Sequence, residues 1–224
     1  MRAGSVHAFS LRRVGFILCA TLAFCAPAAA ASADGLEALE HFLRSTRSGR
    51  ADFTQAVTSP AREGQAPRTK QSSGSFEFQR PNRFRFIYRK PFPQTLVADG
   101  QTLWLHDPDL NQVTARRQAQ ALGTTPAALI AAASDLAALR LEFELSAAPD
   151  RDGMQWVQAT PRVRDGALRG MRVGFRGGEL AALEIQDSLG QLSVLRFGRM
   201  EINIALPPET FQFKPPPGAD VLRP

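Results

Sequence analysis

The sequence predicts a mainly β fold (class α+β) in which one strongly curved antiparallel sheet, or unclosed β-barrel, of about eleven strands is covered by a helical lid. Three observations predict this fold. Apolar and polar residues alternate through most of the chain, short hairpin signals separate the alternating segments, and helical periodicity occurs at only two places. Because no internal repeat and no second domain boundary is evident, we expect a single domain.

The N-terminal 33 residues have the features of a secretory signal peptide. Arg2, Arg12 and Arg13 precede the apolar run Val14–Phe24, and small residues offer cleavage after Ala30 or Ala33. The run has eleven residues, whereas a membrane-spanning helix needs about 20. We therefore expect residues 1–33 to be removed and residues 34–224 to form one exported domain.

Removal of this segment changes the composition of the chain. Cleavage after Ala33 leaves 191 of 224 residues with a net charge of +3, because three of 27 basic and none of 21 acidic residues are lost. Both cysteines, Cys19 and Cys25, are lost as well. A charge of +3 without a Lys/Arg-rich cluster does not favour a nucleic acid partner.

An alternative for the N-terminus is lipid attachment at Cys25, since Leu22-Ala23-Phe24-Cys25 is similar to the signal of bacterial lipoproteins. The bulky Phe24 beside the cleavage point argues against it. The mass of the mature N-terminus distinguishes the two.

An amphipathic helix is predicted from Gly35 to Ser48, because Leu36, Leu39 and Leu43 share one face. The period then changes to two, which predicts a first strand at Ala51–Val57, and the polar stretch Thr58–Ser73 predicts a long hairpin loop. Alternation predicts ten further strands: Gly74–Arg80, Arg83–Arg89, Gln94–Ala98, Gln101–His106, Asn111–Ala115, Arg140–Ser146, Met154–Thr160, Leu168–Phe175, Leu180–Gln186 and Gln191–Phe197.

The connections favour antiparallel pairing, since Asp99-Gly100 and Gly177-Gly178 are two-residue hairpin signals and Asp187–Gly190 is a slightly longer one. A helical insertion interrupts the strands. Thr125 caps a helix that continues through Ala133, and Ser134 or Asp135 starts a second short helix. The closing stretch, Phe211–Gly218, is predicted to be extended and stopped by proline.

The chain lacks the signatures of common enzymes, namely the nucleophile elbow, the phosphate-binding loop and the zinc-binding H-E-x-x-H motif. Asp107-Pro108-Asp109-Leu110-Asn111 begins like a calcium loop, but glutamines stand at the positions of the turn glycine and the bidentate Glu (Gln112 and Gln118). We interpret it as a turn. His41 and His106 are expected to be packing or surface residues, and nothing selects one carboxylate pair. We expect that the chain is not an enzyme and that it binds neither a metal nor a cofactor.

Strand parity sorts the stretch around Arg83 into two faces. Phe84, Phe86 and Tyr88 share the inward face. Arg83, Arg85 and Arg89 share the outward face, which is either a docking surface or simply a solvated charged face.

Arg80 shares a face with Phe76 and Phe78 and is therefore expected to point inward. A buried guanidinium needs acceptors, and backbone carbonyls at the C-terminal end of a lid helix would suit its charge and its donors. The alternative is that strand twist near Pro81 turns Arg80 to solvent.

The inward positions are rich in phenylalanine, of which residues 34–224 contain twelve against two Trp and one Tyr. Such a wall either packs solid or leaves a cavity for a ligand without hydrogen-bonding groups, such as an acyl chain.

The chain resembles the periplasmic outer-membrane lipoprotein carriers of the LolA family. The resemblance spans nearly all of residues 34–224 and is carried by motifs in a fixed order: Phe53-Thr54-Gln55, Gly74, Arg80-Pro81-Asn82-Arg83-Phe84-Arg85-Phe86, Asp99–Trp104, Asp107–Gln112, Thr125–Leu129, Asp187–Gln191 and Phe211–Pro216. Phe86 stands where many relatives have Trp, Ala219 replaces a common Val, and the loop at Thr58–Ser73 is longer than usual.

The resemblance implies a chaperone that accepts acylated lipoproteins from the inner-membrane ABC transporter LolCDE, shields their acyl chains and delivers them to the outer-membrane receptor LolB. It implies a monomer whose Arg80 bonds lid backbone and keeps the ligand-free form closed, and in which Phe84 matches an aromatic residue implicated in transfer. The implied acyl cavity is lined by Phe53, Phe76, Phe78, Phe84, Phe86, Leu103 and Leu129. Two alternatives of the same fold are a lipid-anchored outer-membrane acceptor and a lipid-sensing periplasmic domain.

Overall fold

The computed structural model describes residues 34–61, 65–121, 133–163 and 166–224. Thirteen strands in this part of the chain form one sheet: β1 (Ser48–Ser59), β2 (Arg68–Gln79), β3 (Arg83–Lys90), β4 (Gln94–Asp99), β5 (Thr102–Asp107), β6 (Gln112–Arg117), β7 (Phe143–Arg151), β8 (Met154–Pro161), β9 (Leu168–Arg176), β10 (Glu179–Asp187), β11 (Leu192–Phe197), β12 (Glu201–Ile202) and β13 (Asp220–Leu222). Three α-helices in the same ranges accompany them: α1 (Gly35–Ser45), α2 (Gln118–Ala121) and α3 (Leu136–Glu142).

The sheet is built from two meanders joined through β1. Strands β1 to β6 pair in sequence, strands β7 to β11 do the same, and β1 pairs with β11, giving the order β13-β6-β5-β4-β3-β2-β1-β11-β10-β9-β8-β7. Within the described residues every pairing is antiparallel except that of β13 with β6. Because β7 and β13 end the order without pairing to each other, the curved sheet stays unclosed, and the predicted fold is confirmed.

Helix α1 lies against β7, β8 and β9 with its apolar stripe. Leu39, Phe42 and Leu43 are each 1% exposed, and the Asp34 side chain caps the first turn by accepting from the Glu37 N–H. The helix ends at Ser45 rather than at the predicted Ser48. Ser48 belongs to β1, because it pairs with Gln79 of β2 and its hydroxyl donates to the Ile204 carbonyl. None of the described helices is long and apolar enough to cross a bilayer.

The first hairpin is longer than the sequence predicts. A loop is expected at Thr58–Ser73, yet β1 continues to Ser59 and β2 begins at Arg68. Ladder bonds join backbone groups and do not require apolar side chains, and a Thr58–Thr69 hydroxyl contact of 2.9 Å crosses the pair. Much of the stretch Thr58–Ser73 is solvated, so its side chains show no apolar alternation. The prediction of a loop there was wrong because it relied on that alternation.

A further boundary differs from the prediction, and two short strands were not predicted. A strand is expected to begin at Arg140, but Arg140–Glu142 forms the end of α3, which is capped by the Asp135 carboxylate accepting from the Ala138 N–H. Strands β12 and β13 were missed, because two or three residues are too few to show a period. The predicted helix from Thr125 lies outside the described residues, except for Ala133.

The C-terminal stretch lies against the outer side of β3 to β5. A short 3-10 helix (Pro208–Phe211) replaces the start of the expected extended segment, and Phe211 is 2% exposed. The Phe213 ring lies 5.5 Å from the Trp104 ring and 5.7 Å from the His106 ring. The sheet therefore has an apolar layer on each side in this region, and the inner one carries the candidate site.

Candidate functional site

An aromatic face lies on the inner side of β1, β2 and β3. It consists of Phe53, Phe76, Phe78, Phe84 and Phe86, none of which is more than 3% exposed. Cross-strand register aligns Phe76 with Phe86 and Phe78 with Phe84, because partners in an antiparallel pair share a face. The Phe76 and Phe86 rings stack with centroids 4.5 Å apart, and Phe53 meets Phe86 edge-on at 5.5 Å. The aromatic face therefore presents carbon without hydrogen-bonding groups.

The aromatic face continues across the next two strands. Phe84 pairs with Ala98 of β4, and Ala98 pairs with Leu103 of β5. Leu103 is 7% exposed. The structure thus brings together six of the seven residues that the family resemblance assigned to an acyl cavity, and the seventh, Leu129, lies outside the described residues.

The burial of the aromatic face has a mechanical consequence. The aromatic face packs against α1 and against the segment from Ala133 to the end of α3, which together form the cover of this face. Because each of the five rings is almost wholly shielded from solvent, a ligand reaches the aromatic face only if the cover moves away from the sheet. Contacts that tie the cover to the strands therefore oppose ligand entry.

Arg80 makes such contacts at the end of β2. It is 8% exposed and lies in line with Phe76 and Phe78, so the alternative in which strand twist turns it to solvent is wrong. Its Nε donates to the Thr46 carbonyl at 2.9 Å, and its Nη1 donates to the Ala133 carbonyl at 2.6 Å. One guanidinium thus joins β2 to the C-terminal cap of α1 and to the residue two positions before the cap of α3.

Two aromatic rings flank the Arg80 guanidinium. Its central carbon lies 5.2 Å from the centre of the Phe42 ring and 5.3 Å from that of Phe78. Burial and, to a lesser extent, the positive charge of Arg47 lower the pKa of Arg80 to about 10. At neutral pH the side chain remains charged, so its hydrogen bonds to the two carbonyls are charge-assisted and strong.

The outer face of the same strands carries a buried carboxylate that the sequence analysis missed. Glu77 is 4% exposed and accepts from the Nε of Arg50 at 2.7 Å and the Nε of Arg85 at 2.8 Å. Arg50, Glu77 and Arg85 occupy one cross-strand row, which explains the geometry. The signal available in the sequence was one carboxylate at an alternate position between the two inward phenylalanines of β2.

We expect Glu77→Gln to lower the free energy of unfolding by about 1.5–3 kcal/mol, because a hydrogen bond to a charged group contributes about that much. Glu40→Gln is the matched control. Glu40 pairs with Arg44 on the exposed surface of α1, and a pair of this kind contributes little. Urea unfolding of both variants checks the expectation. Equal urea midpoints for the two variants would show that the row of Arg50, Glu77 and Arg85 does not stabilise the fold.

The calcium-like stretch that the sequence contains does not form a metal site in the described residues. The Asp107–Asn111 stretch forms the expected turn, in which the Asn111 N–H donates to the Pro108 carbonyl. Gln118, the residue at the bidentate position of the calcium pattern, instead accepts from the Gly100 N–H through its side chain. Among the residues described, no group of three or more His, Cys, Asp or Glu side chains could hold a metal ion.

Comparison with known proteins assigns the family. The family model described as outer membrane lipoprotein carrier protein LolA matches residues 44–214, a range that includes Arg80, Glu77 and every residue of the aromatic face. An outer-membrane lipoprotein carrier protein of Albidiferax ferrireducens is 64% identical over 208 residues, covering 91% of this chain and 98% of that protein. One of the same description from Methylibium petroleiphilum is 54% identical, covering 89% and 95%.

A solved structure of an uncharacterized conserved protein from Thermus thermophilus has a TM-score of 0.52 to this fold at 11% identity, over 84% of this chain and 98% of that one. This likeness concerns the fold alone. Together with the family model and the identity of the relatives, the aromatic face and the buried arginine lead to one conclusion. The chain belongs to the LolA family of outer membrane lipoprotein carrier proteins.

Proposed function

We propose that this chain is a periplasmic carrier that accepts acylated lipoproteins from the inner-membrane ABC transporter LolCDE and delivers them to the outer-membrane receptor LolB. The observation that carries the proposal is the aromatic face, since five buried phenylalanines on three adjacent strands offer a surface suited to acyl chains. The secretory features of residues 1–33 support the periplasm as its location. The chain acts as a monomer and as a carrier, without turnover of its cargo.

The energetic need for such a carrier is large. A saturated chain of about fifteen methylenes costs roughly 12 kcal/mol to expose to water, at about 0.8 kcal/mol per CH₂. A lipoprotein therefore crosses an aqueous space only if this surface is covered. In our proposal the acyl chains replace part of the cover and lie against Phe53, Phe76, Phe78, Phe84, Phe86, Leu103 and Leu129.

Release requires that binding be limited. The Arg80 bonds to the Thr46 and Ala133 carbonyls close the cover over the aromatic face, so loading must break them and unloading restores them. Arg80 thus serves as a latch that favours the empty form. The two bonds offset part of the gain from acyl burial, so that the next acceptor in the sequence can compete for the cargo.

Native mass spectrometry of the protein purified from the periplasm of LolB-depleted cells tests the proposal. We expect part of the population to carry one acylated lipoprotein, because cargo accumulates when its acceptor is scarce. The control is a cargo whose acylated cysteine is replaced by serine, which should not co-purify. Unloaded carrier alone under these conditions would contradict the function.

A further inference from the structure

The inner face changes from apolar to polar at nearly the same level, to within one cross-strand pair, across five adjacent strands. The change is seen on each strand in the direction that leads away from Arg80. On β1 the inward Phe53 is followed by Gln55, and on β2 Phe76 and Gly74 are followed by Ser72. On β3 the last inward residue is Tyr88, on β4 Leu96 is followed by Gln94, and on β5 Leu105 is followed by Asp107. Register places Gln55 beside Ser72, and Tyr88 beside Gln94. The aromatic face therefore ends at a boundary that steps by one cross-strand pair between β2 and β3.

A cleft of about 760 Å³ lies just beyond this boundary. Its walls include the polar side chains of Gln55, Ser72 and Gln94, which follow the boundary. Phe92 and Leu110, which are 71% and 69% exposed, border the cleft from two loops. The cleft has the volume of a small-molecule site. It mixes amide and hydroxyl groups with apolar edges and with the charged side chains of Lys70, Asp107 and Asp109.

Tyr88 connects the cleft with the aromatic face. Its ring meets Phe53 edge-on at 5.1 Å and stacks with Phe86 at 6.4 Å, while the same residue lines the cleft. Burial raises the pKa of the Tyr88 hydroxyl to about 12, so the hydroxyl stays neutral and can donate at physiological pH. A ligand with an apolar part and a polar part could thus span both regions without a gap.

We propose that the cleft seats the polar end of the acylated cargo, namely its glyceryl-cysteine and the first residues of its peptide, while the acyl chains lie on the aromatic face. This inference rests on the proposed carrier function. Ester and peptide groups need hydrogen-bonding partners when they leave water, and the aromatic face has none to offer. The polar side chains at the boundary supply them where the acyl chains end.

Two probes and a pair of matched variants test the inference. The probes are a synthetic triacylated lipopeptide with five peptide residues and palmitate, which has an acyl chain but no peptide. Ser72→Trp fills the cleft, whereas Ser73→Trp places the same bulk on the opposite face of the same strand. We expect Ser72→Trp to weaken lipopeptide binding at least tenfold and to leave palmitate binding within twofold, and Ser73→Trp to change neither.

Gln94→Trp, on the neighbouring strand β4, provides a second route to the same result if Ser72→Trp does not fold by circular dichroism. Unchanged lipopeptide binding by both cleft variants would overturn the inference, and so would an equal loss for both probes. Palmitate binding by the wild type in either case leaves the carrier function standing. If the wild type binds neither probe, the carrier function and the inference both fail.

Discussion

Replacing Arg80 with leucine is expected to leave cargo bound to the carrier and to reduce its transfer to LolB at least tenfold. In this variant the closed form buries the Thr46 and Ala133 carbonyls after the Arg80 donor has been lost. The loss costs about 1–3 kcal/mol for each carbonyl. In the wild type each charged hydrogen bond contributes about 1.5–3 kcal/mol. Together the two bonds raise the ratio of closed to open carrier by a factor of at least about 100.

Transfer from loaded carrier to LolB in a reconstituted assay, with bound cargo quantified in parallel, measures this effect. Arg176→Leu is the matched control, since Arg176 is an exposed residue at the end of β9 that lies outside the Arg83/Arg85/Arg89 face and donates to the Asp152 carbonyl at 3.3 Å. Arg80→Lys should fall between the two, because a single ammonium keeps the charge but cannot span both carbonyls. Transfer at the wild-type rate by Arg80→Leu would refute the latch.

Replacing Phe76 with alanine is expected to lower the free energy of unfolding by about 3–5 kcal/mol, the usual cost of truncating a buried phenylalanine. Phe76 contacts the rings of Phe78, Phe86 and Phe197, so the void opens in the middle of the aromatic face. An acyl ligand should fill this void. Excess palmitate should therefore raise the Tm of the variant by more than it raises that of the wild type.

Phe211→Ala supplies the control for this effect. Phe211 is equally buried but lies in the 3-10 helix on the outer side of the sheet, so its void is separate from the aromatic face. Thermal unfolding of both variants with and without palmitate gives the comparison. Recovery of the Phe211→Ala variant to the same extent would mean that palmitate stabilises the fold without occupying the aromatic face.

The inward position of Arg80 could be predicted from the sequence because strand parity places it in line with Phe76 and Phe78, and an inward guanidinium requires acceptors. The identity of those acceptors could not, since Thr46 and Ala133 lie 34 and 53 residues away and meet Arg80 only through the tertiary fold. The turns at Gly100 and Gly177-Gly178 were predictable for a local reason, because all three glycines adopt positive φ.

Features without a local signal were missed. Strand β13 depends on parallel pairing of Asp220–Leu222 with β6, and the solvated half of the β1–β2 hairpin depends on backbone bonds between polar residues. Glu77 looked like an ordinary outward residue of β2, since its two arginine partners lie on different strands. The tight closure of the aromatic face could not be predicted either, because alternation specifies which side chains point inward but not how closely they pack.

In the proposed carrier, acyl chains of the cargo lie on the inner side of the sheet. Photocrosslinking tests it most directly, with p-benzoyl-phenylalanine placed at position 86 on the aromatic face or at position 87 on the opposite face of the same strand. We expect a crosslink between position 86 and the acyl chain of a bound lipoprotein and none from position 87. Crosslinks at position 87 alone, or equal yields at both positions, would contradict it.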